Sequence, residues 1–111
     1  MADEPRLQVH RWPAGRPISQ TSVTEAWAKE GFSCGLWAGP PLQSWLDYVH
    51  SIDERLLLKE GTIVLEIEGA SATLQPGDEV CIPAGARHSI WNRTHKTVRW
   101  YYGYRKKERP K

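Results

Sequence analysis

The stretch Gly77-Asp78-Glu79-Val80-Cys81-Ile82-Pro83-Ala84-Gly85-Ala86-Arg87-His88-Ser89-Ile90-Trp91-Asn92 decides how the 111-residue chain is read. It opens on a turn signal, Pro76-Gly77-Asp78, and runs through a short apolar segment, Val80 to Ile82. A second turn follows, in which Pro83 sets its own φ and Gly85 can enter the left-handed region that bulky residues avoid. His88 then stands between this rigid turn and an aromatic segment that ends at Asn92, whose amide suits a strand-to-loop cap.

Working outward, the pattern is β in both directions. Upstream, Phe32 to Ala38 reads as a strand stopped by Gly39-Pro40-Pro41, and Gln43 to His50 as another. In the second, alternation puts Ser44, Leu46, Tyr48 and His50 on one face and Trp45, Asp47 and Val49 on the other. Glu54 to Leu58, Thr62 to Glu68 and Ser71 to Leu74 follow, with Ile63, Leu65 and Ile67 alternating cleanly. Val80 to Ile82, Arg87 to Asn92 and Thr97 to Tyr104 complete the set. Short strands punctuated by glycine and proline indicate an all-β sandwich or barrel. Residues 1–20 hold four prolines or glycines and read as a surface arm, with Val9 to Trp12 as an edge strand. Ser22 and Glu25 have capping-box spacing, which predicts about two helical turns from Thr24 to Glu30 before Gly31.

Composition narrows the classes. The length suits one domain, no stretch approaches the roughly 20 apolar residues that span a bilayer, and no signal-like segment is seen, so a cytoplasmic protein is expected. Cys34 and Cys81 read as buried, unpaired thiols. Arg105, Lys106, Lys107, Arg109 and Lys111 against Glu108 put +4 on the last seven residues, leaving −2 on residues 1–104. That tail reads as a solvated terminus, without the folded framework of a specific nucleic-acid reader. The six tryptophans are scattered, as core or interface surfaces and not as one stacking stripe.

The chemistry lies in Tyr48, His50, Glu54 and His88. Neutral imidazole and ionised carboxylate are both metal ligands, and two histidines with one carboxylate suit ferrous iron, zinc or manganese. Four residues separate His50 from Glu54, and even parity returns both to one side if the strand runs on undistorted. That spacing is common, and taken alone it leaves open an ordinary hydrogen-bonded histidine.

Gly77, Pro83, Gly85, His88 and Asn92 match the second conserved motif of the cupin superfamily, and His50, Glu54 and Gly61 fit the end of its first; the chain resembles a small single-domain cupin. The resemblance implies a double-stranded β-helix, or jelly-roll, barrel over residues 32–104, preceded by an arm and short helix in 1–31 and followed by the tail 105–111. It also implies His50, Glu54 and His88 as ligands to a divalent transition metal: zinc, iron, manganese, nickel or copper. Two positions depart from the motif: Tyr48 stands where a fourth ligand, histidine, is usual, and Leu42 where glycine is usual. Tyr48 can bind the metal, act near it as a hydrogen-bond donor or acid-base group, or only fill space; the near-site polar role is favoured. Arg87 and Arg99 could hold an acidic substrate, but both have outward parity. The function expected is a metal-dependent enzyme, oxygenase-like or otherwise metal-assisted, acting on a small organic molecule. The alternative is a non-catalytic binding or sensing module. A homodimer is expected, together with no specific nucleic-acid or membrane partner.

Overall fold

The computed structural model describes residues 7–106. Nine strands and one helix are formed among the described residues. The strands are β1 (Val9–Arg11), β2 (Gly35–Gly39), β3 (Ser44–Tyr48), β4 (Glu54–Glu60), β5 (Ile63–Ile67), β6 (Ala70–Leu74), β7 (Asp78–Ile82), β8 (His88–Trp91) and β9 (Val98–Tyr104), with helix α1 (Gln20–Lys29) between β1 and β2. One sheet has the order β1-β7-β4-β9-β2 and the other β3-β8-β5-β6. All pairings are antiparallel. The all-β fold expected from the turn pattern, and the jelly-roll barrel implied by the family resemblance, are the architecture observed.

Alternation explains where the core sits. Leu56, Leu58, Val80, Ile82, Val98 and Trp100 of the larger sheet meet Ile63, Leu65, Ile67, Leu74 and Ile90 of the smaller one. Side chains of the opposite parity in the larger sheet, Leu57 and Tyr101, are also buried, because Val23 and Trp27 of α1 cover them together with Trp12 and Phe32. The uninterrupted run Leu56-Leu57-Leu58 is therefore a strand covered on both faces, not a break in pattern. Trp27 Nε1 donates to Glu79 Oε2 at 2.7 Å, and Arg55 reaches Glu30 at 2.7 Å, which fasten the helix to the sheet.

Several local readings change. The helix starts four residues before Thr24, at Gln20, because Ser19 is the N-cap: it is extended (φ −132°, ψ 161°) and its hydroxyl accepts from the Ser22 amide. Strand β2 begins only at Gly35, since Phe32 makes a lone bridge to Arg105 and packs beneath the guanidinium groups of Arg55 and Arg105 at 4.4 and 4.6 Å. Both thiols are free, but Cys34 is half-buried and Cys81 exposed, because Cys81 lies on the outer face between two inward residues. The arm pairs with β7 of its own chain, where Arg11 also meets Asp78 at 2.6 Å. Of the basic tail, Arg105 is tied to Asp53 at 3.1 Å, and residues 107–111 lie outside the described residues.

Asn92 is 1% exposed and ties the end of β2 to the loop after β8. Its Nδ2 donates to the carbonyls of Gly39, Pro40 and Lys96 at 3.2, 2.9 and 2.9 Å, while Oδ1 accepts from the amide and hydroxyl of Thr94. An alanine there would strand several buried carbonyls. Asn92→Ala is expected to cost about 2–4 kcal/mol, read from urea denaturation; a change below about 1 kcal/mol would mean that the clamp is dispensable.

Candidate metal centre

Three elements bring the predicted side chains together. His88 opens β8, Glu54 opens β4, and His50 lies in the loop after β3. The strand does not run on from His50 to Glu54, so parity is not what aligns them. The loop is held instead by the turn at 83–86. The Gly85 amide donates to the His50 carbonyl and the Ala84 amide to Asp53 Oδ1, both at 2.8 Å. Gly85 sits at φ +80°, the left-handed geometry expected of it. The Ala84 amide, and after it the Arg105 guanidinium, hold the Asp53 carboxyl below its usual range, although partial burial works the other way.

The Glu54 carboxylate is nearly buried, and its Oε1 lies 3.3 Å from His50 Nε2 and 3.5 Å from His88 Nε2. Neither approach has hydrogen-bond geometry, so Oε1 is a buried acceptor without a protein donor. His88 Nδ1 lies 3.1 Å from the Ala86 carbonyl, which only accepts, so Nδ1 carries the proton. In the neutral ring, Nε2 then turns a lone pair toward Oε1. Two acceptors facing one another need a cation between them. Burial pulls the His88 imidazole down, but Glu54 and the Ala86 carbonyl outweigh it and hold it above its ordinary value. A metal ion answers the same demand: the three ligand atoms lie within 4.8 Å of one another, and a His/Glu/His donor set can hold a divalent ion.

Around this group is a cavity of about 330 Å³. Tyr48, Tyr102 and Tyr104 line it together with Trp37, Trp45 and Trp100. Trp45 corrects the alternation argument, which put it on the face opposite Tyr48. Opposite β8, Trp45 pairs with Ile90 and Tyr48 with His88, so β3 holds one extra residue at a bulge. Asp47 adopts φ +58° there, and its amide donates to the buried Ser89 hydroxyl at 2.8 Å. Trp45 and Tyr48 both face the cavity in consequence. The Tyr48 ring is near-parallel to that of His50, with centroids 6.2 Å apart, and lies 6.3 Å from that of His88. Tyr104 is set edge-on to His50 at 5.3 Å, and burial, followed by Glu54 and Tyr102, raises its phenol. Arg87 is exposed, and Arg99 is paired with Glu60 at 2.6 Å, so neither lines the cavity.

The sequence reading left Trp37 and Tyr104 without a site role; Tyr104 shares parity with Trp100 and Tyr102, which was a readable signal, whereas Trp37 joins them only through the β2–β9 register. Leu42, where the motif has glycine, adopts φ +60°, so the position keeps its left-handed geometry without glycine.

Residues 40–104 match the family model described as the cupin domain. The chain belongs to the cupin family. Similar solved folds include a cupin 2 conserved barrel protein from Salinispora arenicola, at 23% identity and TM-score 0.61 over 88% of this chain and 74% of that one. The plu4264 protein of Photorhabdus luminescens matches at 17% identity and TM-score 0.64 over 96% and 81%. The polyketide cyclase RemF of Streptomyces resistomycificus matches at 21% and 0.61 over 71% and 57%. At these identities the likeness shows the cupin fold alone. A comparison with curated proteins finds no match.

Asp53 joins the two motifs of this cupin through a side chain, so Asp53→Ala should loosen the loop that carries His50. A loss of about 1–2 kcal/mol is expected in urea denaturation. Faster hydrogen exchange at the Ala84 amide should accompany it, with the β5 amides unchanged. Unaltered Ala84 exchange would show that the backbone bond from Gly85 suffices.

Proposed function

We propose that this cupin binds a divalent transition metal through His50, Glu54 and His88 and acts on a small organic molecule in the adjoining cavity. The observation that supports it is the buried Glu54 Oε1, which has no donor and faces both Nε2 atoms. The donor set accepts zinc, iron, manganese, nickel or copper. Such an ion, when bound, supplies Lewis acidity toward a substrate oxygen and, if redox-active, oxygenase-like chemistry. The chain's own residues do the rest. The Ala86 carbonyl fixes the His88 tautomer, and Glu54 offsets part of the ion's charge. Trp37, Trp45 and Trp100 exclude water from one side of the cavity. Tyr48, opposite His88, offers a phenol to hydrogen-bond a substrate or move a proton at its oxygen, rather than acting as a ligand.

His50→Ala and His88→Ala are each expected to lose most bound metal, measured as moles per chain, while circular dichroism stays β-type. Tyr48→Phe should keep the metal and change ligand binding or turnover. Full metal in both histidine variants would sink the assignment, and metal loss in Tyr48→Phe would make Tyr48 a ligand. Ligand binding that survives chelation with no product formed would favour the second reading, a binding or sensing module. Tyr48 in the place of the usual fourth ligand supports that reading.

Two further parts of the proposal concern setting. The free thiols of Cys34 and Cys81 suit a reducing compartment, so we place the protein in the cytoplasm. None of the helices among the described residues is long and apolar enough to cross a membrane. The edge strands β2 and β3 carry exposed Leu36 and Leu46, and Val49 and Ile52 in the following loop are exposed as well. Unpaired edges with apolar residues favour association, and a homodimer is the form proposed. Sedimentation equilibrium should give twice the chain mass; a monomer at all micromolar concentrations would refute it.

A further inference from the structure

The inner face of β2 reads Gly35, Trp37, Gly39, opposite Tyr102, Trp100 and Val98 of β9. Both glycines are needed sterically. A Cβ at Gly35 would lie 2.8 Å from the Tyr102 ring, and one at Gly39 would lie 2.8 Å from the Trp45 ring and 3.1 Å from that of Trp100. Any side chain at either position would push these rings. Glycine on either side of Trp37 thus lets the aromatic rings lie directly against the strand. Trp45 and Trp100 are locked edge to face at 5.4 Å with an interplanar angle of 87°. The result is a wall of rigid rings leading to the His50, Glu54 and His88 group.

The charges are equally selective. The cavity lining includes no lysine or arginine among the described residues, and Arg55, Arg99 and Arg105 are paired with carboxylates outside it. A polyanion would find no counter-charge beyond the metal centre. With a divalent ion and the single carboxylate of Glu54, that centre carries net positive charge, which attracts an oxyanion and repels an organic cation.

We propose that the cavity takes a flat, conjugated molecule with one ionisable oxygen, an enol or phenol, its ring against the indoles of Trp37, Trp45 and Trp100 and its oxygen toward the metal centre. This rests on the metal-binding reading above and narrows its substrate class. Aromatic stacking supplies the affinity and the oxygen sets the orientation.

Tropolone, a planar conjugated ring with adjacent carbonyl and hydroxyl groups, is a suitable probe; succinate and choline represent the aliphatic anion and the organic cation. Calorimetry on zinc-loaded protein should show tropolone binding once per chain, at least about tenfold tighter than either control. Zinc per chain is measured afterwards. Trp37 is 43% exposed on an edge strand, so Trp37→Ala should fold and keep its zinc while losing about tenfold in tropolone affinity. With zinc retained, succinate or choline binding as tightly, or an unchanged Trp37→Ala affinity, overturns the substrate class and leaves the metal site standing. A protein that takes up no zinc, or yields it to tropolone, overturns the metal-anchored proposal itself.

Discussion

The pairing of β4 with β7 and β9 is the constraint on which the rest of the structure depends. These strands are covered on both sides, by the smaller sheet on one face and by α1 with the arm on the other. A one-residue slip of β4 would exchange Leu57 with its neighbours and move every side chain to the wrong face. Glu54 heads that strand, so the register that settles the core also settles where the carboxylate stands. The packed strand holds that carboxylate in place although no protein donor reaches its Oε1. The candidate site is built outward from this packed core, and the loop carrying His50 is fastened to it by the 83–86 turn.

What was legible in the sequence follows the same division. Gly85 and Asn92 could be read because each answers a backbone demand that few residues satisfy: a left-handed turn, and a group of orphan carbonyls. Alternation over Ile63, Leu65 and Ile67 was equally readable, since β5 is regular and buried on one face. Reading failed where an irregularity resets the count. Trp45 was turned to the wrong side by an unseen bulge, and the helix start was misjudged because Ser19 and Ser22 are both acceptable caps. His50 and Glu54 do converge, but through a pinned loop and not the continuous strand that parity assumed. Cys81 was expected inside because cysteine usually is; only the sheet shows that its face is uncovered there.

The tryptophans illustrate why scattered residues hide a site. Trp37, Trp45 and Trp100 belong to three strands and meet only because β2 and β9 pair while β3 crosses from the other sheet. Trp12 and Trp27 serve the second core under the helix, packed with Val23, Phe32, Leu57 and Tyr101. The same residue type thus divides between the helix-covered core and the cavity lining according to which face of the larger sheet it covers. Sequence distance carries no information about that division, whereas strand parity does once the register is known.

The bulge in β3 uncouples chain length at this edge from what faces the cavity. Tyr48 stands opposite His88 only because Leu46 and Asp47 together oppose Ser89. In this same chain an unbulged ladder would set Asp47 opposite His88 and displace Tyr48, whereas a chain one residue shorter at that point would keep Trp45 opposite Ile90 and Tyr48 opposite His88 with no bulge at all. Loss of a single codon at this edge would therefore leave the residues opposite His88 and Ile90 unchanged.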